Sequence, residues 1–275
     1  MLSYSYLTKK GSSMRFLFFF LLILPSLARA DMAQALKDWE KRDEPESLRS
    51  ALTEFEKLHE ASPKDREILL YLSRGYFLMA EYHTEGKDEK MKMFEKSKNY
   101  GFKGLEVNPE FAELKNDKIE KAITKINEEG APLAFWTAAS IGKWSKLNGI
   151  MSSLKYKDQM LAMIRRVEEL KPDYMYGAVP RFWGGFYALA PGFVGGDMKK
   201  SKKNFQKAME MAPEYVATKV FYAETYLVEE DEKKEFEKVL NEAIAAPEGP
   251  KEIQPENRLE KQKAQRLLKN IKELF

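Results

Sequence analysis

The sequence contains no cysteine and only two histidines. Without a thiol there is no disulfide, no thiolate metal site, no cysteine nucleophile and no sulfur for a lipid anchor. His59 and His83 are distant in sequence and sit near helix ends among Glu and Lys, outside any H-x-x-x-H or H-E-x-x-H spacing. A histidine-based metal centre therefore has no carrier. No serine lies in a G-x-S-x-G frame with a histidine to serve it, and the G-x-x-x-x-G-K-[ST] phosphate loop is missing. Acidic neighbours such as Glu229, Glu230 and Asp231 fall in a charged connection and read as solvated. The expectation is a protein with no catalytic residue, no cofactor and no metal, which works by binding.

Long apolar runs are also scarce. The run Phe16 to Leu24 follows Lys9, Lys10 and Arg15, and is followed by Pro25 and by Ala28-Arg29-Ala30. It is shorter than the roughly 20 residues of a membrane-spanning helix. A basic start, a short apolar stretch and a small-x-small site make a secretory signal. Residues 1–30 are thus expected to be a leader and 31–275 a single mature domain, exported and periplasmic; Met14, just before Arg15, is a second candidate start. The leader carries four basic residues (Lys9, Lys10, Arg15, Arg29) and no acidic ones, so its removal takes the net charge from +3 to −1. A nearly neutral chain offers no electrostatic case for binding nucleic acid.

Alternating, strand-like segments are missing too. Beyond the leader the chain is rich in Lys, Glu, Ala, Leu and Met, with apolar residues at three- and four-residue steps, which is the helix period. Four prolines punctuate it. Twelve, eight and five residues before Pro63 stand Ala51, Phe55 and Leu58; before Pro172, Met160, Ile164 and Val167; before Pro213, Ser201, Phe205 and Ala208; before Pro109, more weakly, Ser97, Gly101 and Gly104. Each trio shares one helix face, and the proline ends the helix. The spacing is that of the second helix of a tetratricopeptide (TPR) unit. Leu69, Leu72, Ser73 and Tyr76 after Pro63, and Tyr222, Ala223 and Tyr226 after Pro213, fit the first helix of the next unit.

The expected fold is all-α: a TPR-like helical repeat array with a C-terminal capping helix. Its helix pairs would cover 32–58, 65–105, 133–170, 174–211 and 214–245, with an extra helix near 110–127 and a final amphipathic helix over 257–275. That last helix would present Leu259, Leu267, Ile271, Leu274 and Phe275, closing the end of the array.

The segment around Arg181 to Leu189 stands out. It carries Phe182, Trp183, Phe186 and Tyr187 beside Gly184 and Gly185, and glycine within a helix costs about 1 kcal/mol. Large rings beside missing side chains either interlock with a neighbouring helix or leave a hole. The second alternative gives an apolar ligand passage lined by Trp183, Gly184, Gly185, Phe186 and Tyr187, with Phe193 at its mouth and Arg181 and Tyr187 as polar anchors. After it, Gly195 and Gly196 read as a structural turn and Asp197 as the cap of the next helix.

The strings Gly184-Gly185-Phe186-Tyr187-Ala188-Leu189, Pro191-Gly192-Phe193, Gly195-Gly196-Asp197 and Lys219-Val220-Phe221-Tyr222-Ala223-Glu224, with the ending Glu273-Leu274-Phe275, resemble the T component (TatT) family of TRAP transporters, the tripartite ATP-independent periplasmic systems. The resemblance implies a non-enzymatic periplasmic helical protein, a homotrimer with pores through its protomers. It also implies docking of the soluble solute-binding protein (the P subunit) and transfer of a small hydrophobic ligand. Many members carry a lipid-modified cysteine, which this sequence lacks. The alternative from the repeat spacing alone is a general periplasmic TPR adaptor that binds proteins or peptides.

Overall fold

A computed structural model describes the backbone of residues 24–275 and the side chains from residue 31. The leader read in residues 1–30 lies outside the residues described in full. Among the described residues the chain is all-α and has no strand. Thirteen α-helices follow one another: α1 (Leu24–Trp39), α2 (Pro45–Ala61), α3 (Arg66–Tyr82), α4 (Lys87–Leu105), α5 (Pro109–Leu114), α6 (Ile119–Thr124), α7 (Ala131–Asn148), α8 (Ile150–Leu170), α9 (Tyr174–Leu189), α10 (Met198–Met211), α11 (Val216–Tyr222), α12 (Lys233–Ala245) and α13 (Gln254–Lys269). Among the described residues no helix is long and apolar enough to cross a membrane.

Local chemistry sets the boundaries. Asp65 caps α3 by accepting from the N–H groups of Glu67 and Ile68. Asn108 does the same for α5 from Glu110 and Phe111, with Pro109 at the first helical position. Helix α2 turns a buried stripe of Leu48, Ala51, Leu52, Phe55 and Leu58 onto α1 and α3. The proline-anchored faces are buried in the other helices too: Ser97, Gly101 and Gly104 in α4, Ile164 and Val167 in α8, and Ser201, Phe205 and Ala208 in α10. Ser97 Oγ donates to the carbonyl of Ser73 at 2.6 Å, and Ser73 Oγ returns a bond to that of Ser97 at 3.0 Å, pinning α3 to α4. Such small hydroxyls let two helices approach and still satisfy each other's polar groups.

The helices pack in sequence: α1 on α2, α3 on α4, α4 on α7, α7 on α8, α9 on α10 and α11 on α12. The extra helix expected near 110–127 is two short helices, α5 and α6, which bury Phe111, Ala122 and Ile123. The last helix also differs from expectation. It stops at Asn270 and continues as a short 3-10 turn, Ile271–Glu273. Leu267, Ile271, Leu274 and Phe275 pack against the α11–α12 core. The buried surface of α13 nevertheless includes Glu256, Asn257 and Glu260, whose charged members reach the far N-terminal helices. The helix therefore does more than cover one end.

Helix α9 is not continuous either. Met175, Tyr176 and Gly177 have φ of 44°, 56° and 69°, the left-handed region that non-glycine residues avoid. Gly177 fits because a Cβ there would stand 3.1 Å from the Ala208 carbonyl oxygen, on top of its left-handed φ. The regular helix begins after this run.

Candidate functional site

Six helices leave between them a cavity of about 520 Å³. Phe77, Leu78, Glu81 and Tyr82 come from α3; Phe135, Trp136, Ala139 and Lys143 from α7; Ile150, Leu154 and Met160 from α8. Helix α9 gives Ala178, Arg181, Phe182, Gly185 and Phe186, and the loop after it Pro191 and Val194. Tyr215, Phe221, Glu224 and Thr225 enter from the α11 region, and Glu256, Glu260 and Lys263 from α13. Ile150 is 56% exposed and Leu154 and Leu189 are exposed as well, so apolar side chains border the mouth. Phe77, Trp136 and Phe135 form an edge-to-face ladder at 5.2 and 5.4 Å along one wall.

Helix α11 runs on as a π-helical turn, Ala223–Leu227. Within it Thr225 Oγ1 donates to the carbonyl of Phe221, four residues back, at 2.6 Å. Phe221, Glu224 and Thr225 are all cavity-lining residues of this turn or its edge. Turns of this kind are frequent at functional sites.

The inner wall is charged. Lys143 and Lys263 flank Glu81 at 2.7 and 3.0 Å, and Lys263 also reaches Glu224 at 2.6 Å. Burial alone would push the Glu81 carboxyl up; the two lysines outweigh it and hold it far below the usual carboxylate range. Glu256 sits between two arginines, 2.5 Å from Arg42 and 2.6 Å from Arg74. Its burial is likewise outweighed, by Arg74 and Arg42. Glu260 differs. It accepts the hydroxyl of Tyr82, its second oxygen has no hydrogen-bond partner among the described residues, and burial, with Glu224 and Glu81 adding to it, pushes its carboxyl up. Arg181 donates through Nη1 to the carbonyl of Tyr176 at 2.8 Å and to Thr218 Oγ1 at 3.3 Å, and lies over the Tyr215 ring at 4.5 Å. It thereby fastens the left-handed run of α9.

Of the residues singled out in the sequence, Arg181, Phe182, Gly185 and Phe186 line the cavity. The others are placed elsewhere. Trp183 is buried in the central core, donates its indole N–H to Glu168 at 3.1 Å and stacks on Tyr187 at 5.7 Å. Tyr187 in turn lies under the Lys200 ammonium at 5.5 Å. Phe193 is 84% exposed on a short 3-10 turn, while its neighbour Val194 reaches the cavity. Gly184 faces α10: a Cβ there would stand 2.8 Å from the Phe205 ring. On Gly185 it would stand 2.3 Å from the Phe221 ring. The two glycines thus serve different neighbours, one in the core and one at the cavity wall. Gly195 has φ of 112°, a Cβ on Gly196 would meet the Ala190 carbonyl oxygen at 1.7 Å, and Asp197 accepts the Lys200 N–H at 3.0 Å.

Replacing Gly184 by leucine is therefore expected to destabilise the fold, by roughly 1–3 kcal/mol or more as overpacking does. Chemical denaturation would show it; a Gly184→Leu protein with unchanged stability would mean that Phe205 has room to yield.

The α3 and α13 contributions are invisible to a search for motifs. The signal that could have found them is register. Glu256, Glu260 and Lys263 recur on the α13 face that also carries Leu259 and Ala264, so charge occupies positions that an amphipathic helix reserves for burial.

Comparison with known protein families supplies the class. The family model described as TRAP transporter T-component matches residues 45–275. The chain belongs to this family of transporter components. A search of curated proteins found no match.

Proposed function

We propose that this protein is a periplasmic accessory of a TRAP-type transporter that carries a small hydrophobic ligand to or from a soluble solute-binding protein, the P subunit. Residues 1–30 are a leader removed on export, the mature chain begins at Asp31, and the working form is a homotrimer. The observation that carries this reading is the cavity of about 520 Å³ with its apolar mouth, inside the range of roughly 300–1,000 Å³ typical of small-molecule sites. The role is non-catalytic, in keeping with a family of transporter components.

Sedimentation velocity of the mature protein, alone and mixed with a TRAP-type solute-binding protein from the same organism, tests the assembly. A trimer that forms a complex at micromolar concentration is expected. A strict monomer without a complex would instead favour a general adaptor of proteins or peptides.

A further inference from the structure

The cations around the cavity are unequally served. Lys143 and Lys263 share Glu81, Lys263 also pairs with Glu224, and Lys157, nearer the mouth, is 3.5 Å from Asp158. Arg42 and Arg74 share Glu256. Arg181 has no carboxylate within ion-pair distance among the described residues; its partners are a carbonyl, a hydroxyl and a ring. Both hydrogen bonds leave from Nη1, so Nε and Nη2 are unused by the described residues. The side chain lies deep, and burial lowers its affinity for its proton, yet it keeps accessible surface and lines the cavity. A buried guanidinium is costly unless it is paired, and its planar fork matches a carboxylate. Glu260 does not discharge it: one oxygen takes the Tyr82 hydroxyl and neither is in ion-pair contact with Arg181.

Taking the ligand-binding cavity of the preceding section as its basis, we propose that the cavity takes a single-chain amphiphile bearing one carboxylate, with the headgroup on the free edge of Arg181 and the hydrocarbon running past Phe182 and Phe186 toward Ile150 and Leu154. Lys146 also lines the cavity without an ion pair among the described residues, but it is exposed to solvent; Arg181 is the one unpaired cation at the buried end, and one cation there suits one negative charge. A phosphate dianion would need a second, and Lys143 and Lys263 are already engaged. The apolar mouth and the polar inner end set the ligand's direction: headgroup in, chain out.

The test compares dodecanoate, dodecanol and dodecylammonium by titration calorimetry on the mature protein, first stripped of carried lipid on a hydrophobic resin. Dodecanoate is expected to bind at least tenfold more tightly than dodecanol, with dodecylammonium weakest. Arg181→Met should bring dodecanoate down to the level of dodecanol and leave dodecanol unchanged. Because Arg181 also fastens the Tyr176 carbonyl, that variant can fail to fold, and the headgroup preference of the wild-type protein then decides alone. Ala139→Trp, which fills the cavity from α7, should abolish binding of all three probes. Equal binding of dodecanoate and dodecanol overturns the carboxylate inference and leaves the hydrophobic cavity standing. A preference for dodecylammonium overturns it in favour of Glu260 as the headgroup partner. Binding that survives Ala139→Trp places the probe elsewhere and overturns it too. If no probe binds the wild-type protein, the ligand reading of the cavity itself fails, and this inference with it.

Discussion

Replacing Glu256 by alanine is expected to lower the stability of the protein by roughly 3–5 kcal/mol, the usual cost of leaving a buried ion pair half made. Glu256 is 2% exposed and Arg42 4%. Its two oxygens serve two guanidiniums: Arg42 Nε donates to Oε1 at 2.8 Å and Nη2 to Oε2 at 2.5 Å, while Arg74 Nη2 donates to Oε1 at 2.6 Å. Removing the carboxylate leaves both cations in a low-dielectric interior, over the Trp39 ring at 5.1 Å (Arg42) and 5.3 Å (Arg74). Urea unfolding followed by circular dichroism reads the loss. Replacing Glu256, Arg42 and Arg74 together by methionine should recover much of it, because no charge then remains buried. A single variant that loses under about 1 kcal/mol would show that water reaches the triad. The sign of the pH dependence follows from the same contact. The Glu256 carboxyl is held below its ordinary value of 4.5, so its stabilisation is present above that pH and fades as the pH falls through the lower folded value.

Replacing Phe205 by alanine is expected to cost roughly 3–5 kcal/mol for a different reason, a cavity left in a packed core. Phe205 has no exposed surface. Its ring meets Phe221 at 5.7 Å and Tyr222 at 5.4 Å, both edge to face, and on its other side it fills the space that Gly184 leaves open. Three helices therefore depend on one ring. The midpoint of urea unfolding should fall with little change in the slope of the transition. A loss below about 1 kcal/mol would mean that Gly184 and its neighbours close the hole by themselves.

These two residues were unequally legible. Phe205 stands eight residues before Pro213 and shares a face with Ser201 and Ala208; spacing and a proline are local information, and all three are buried. Glu256 looked like any other acid in a charged helix. Its partner Arg42 lies 214 residues away, and no periodicity in one segment reports such a pairing. The aromatic–glycine segment of α9 was legible as unusual but not as oriented. Consecutive helical residues point about 100° apart, so Gly184 and Gly185 had to meet different neighbours, and the sequence could not say which of them met the cavity. The left-handed run Met175–Gly177 was hidden inside what read as a continuous helix from Tyr174, although Gly177 and Pro180 mark the place. Asp197 as a cap, by contrast, needs only its own neighbours: its side chain accepts the N–H three residues on.

Helix α13 and the short turn before it touch the early helices at several points: Glu256 on Arg42, Arg258 on Asp43 at 2.6 Å, Lys251 on Glu40 at 3.1 Å and Lys263 on Glu81. A row of helix pairs in contact only with their neighbours can melt piece by piece from either end. Here the last helix is bolted to the first ones, so the order in which the chain is made matters. The N-terminal helices emerge carrying Arg42 and Arg74, whose common counter-ion lies near the other end of the polypeptide. Until that end arrives, the first helices are unfinished, with two arginines still seeking an acid, the kind of species that chaperones shield. Loss of the final helix would therefore be felt first at the opposite end of the molecule.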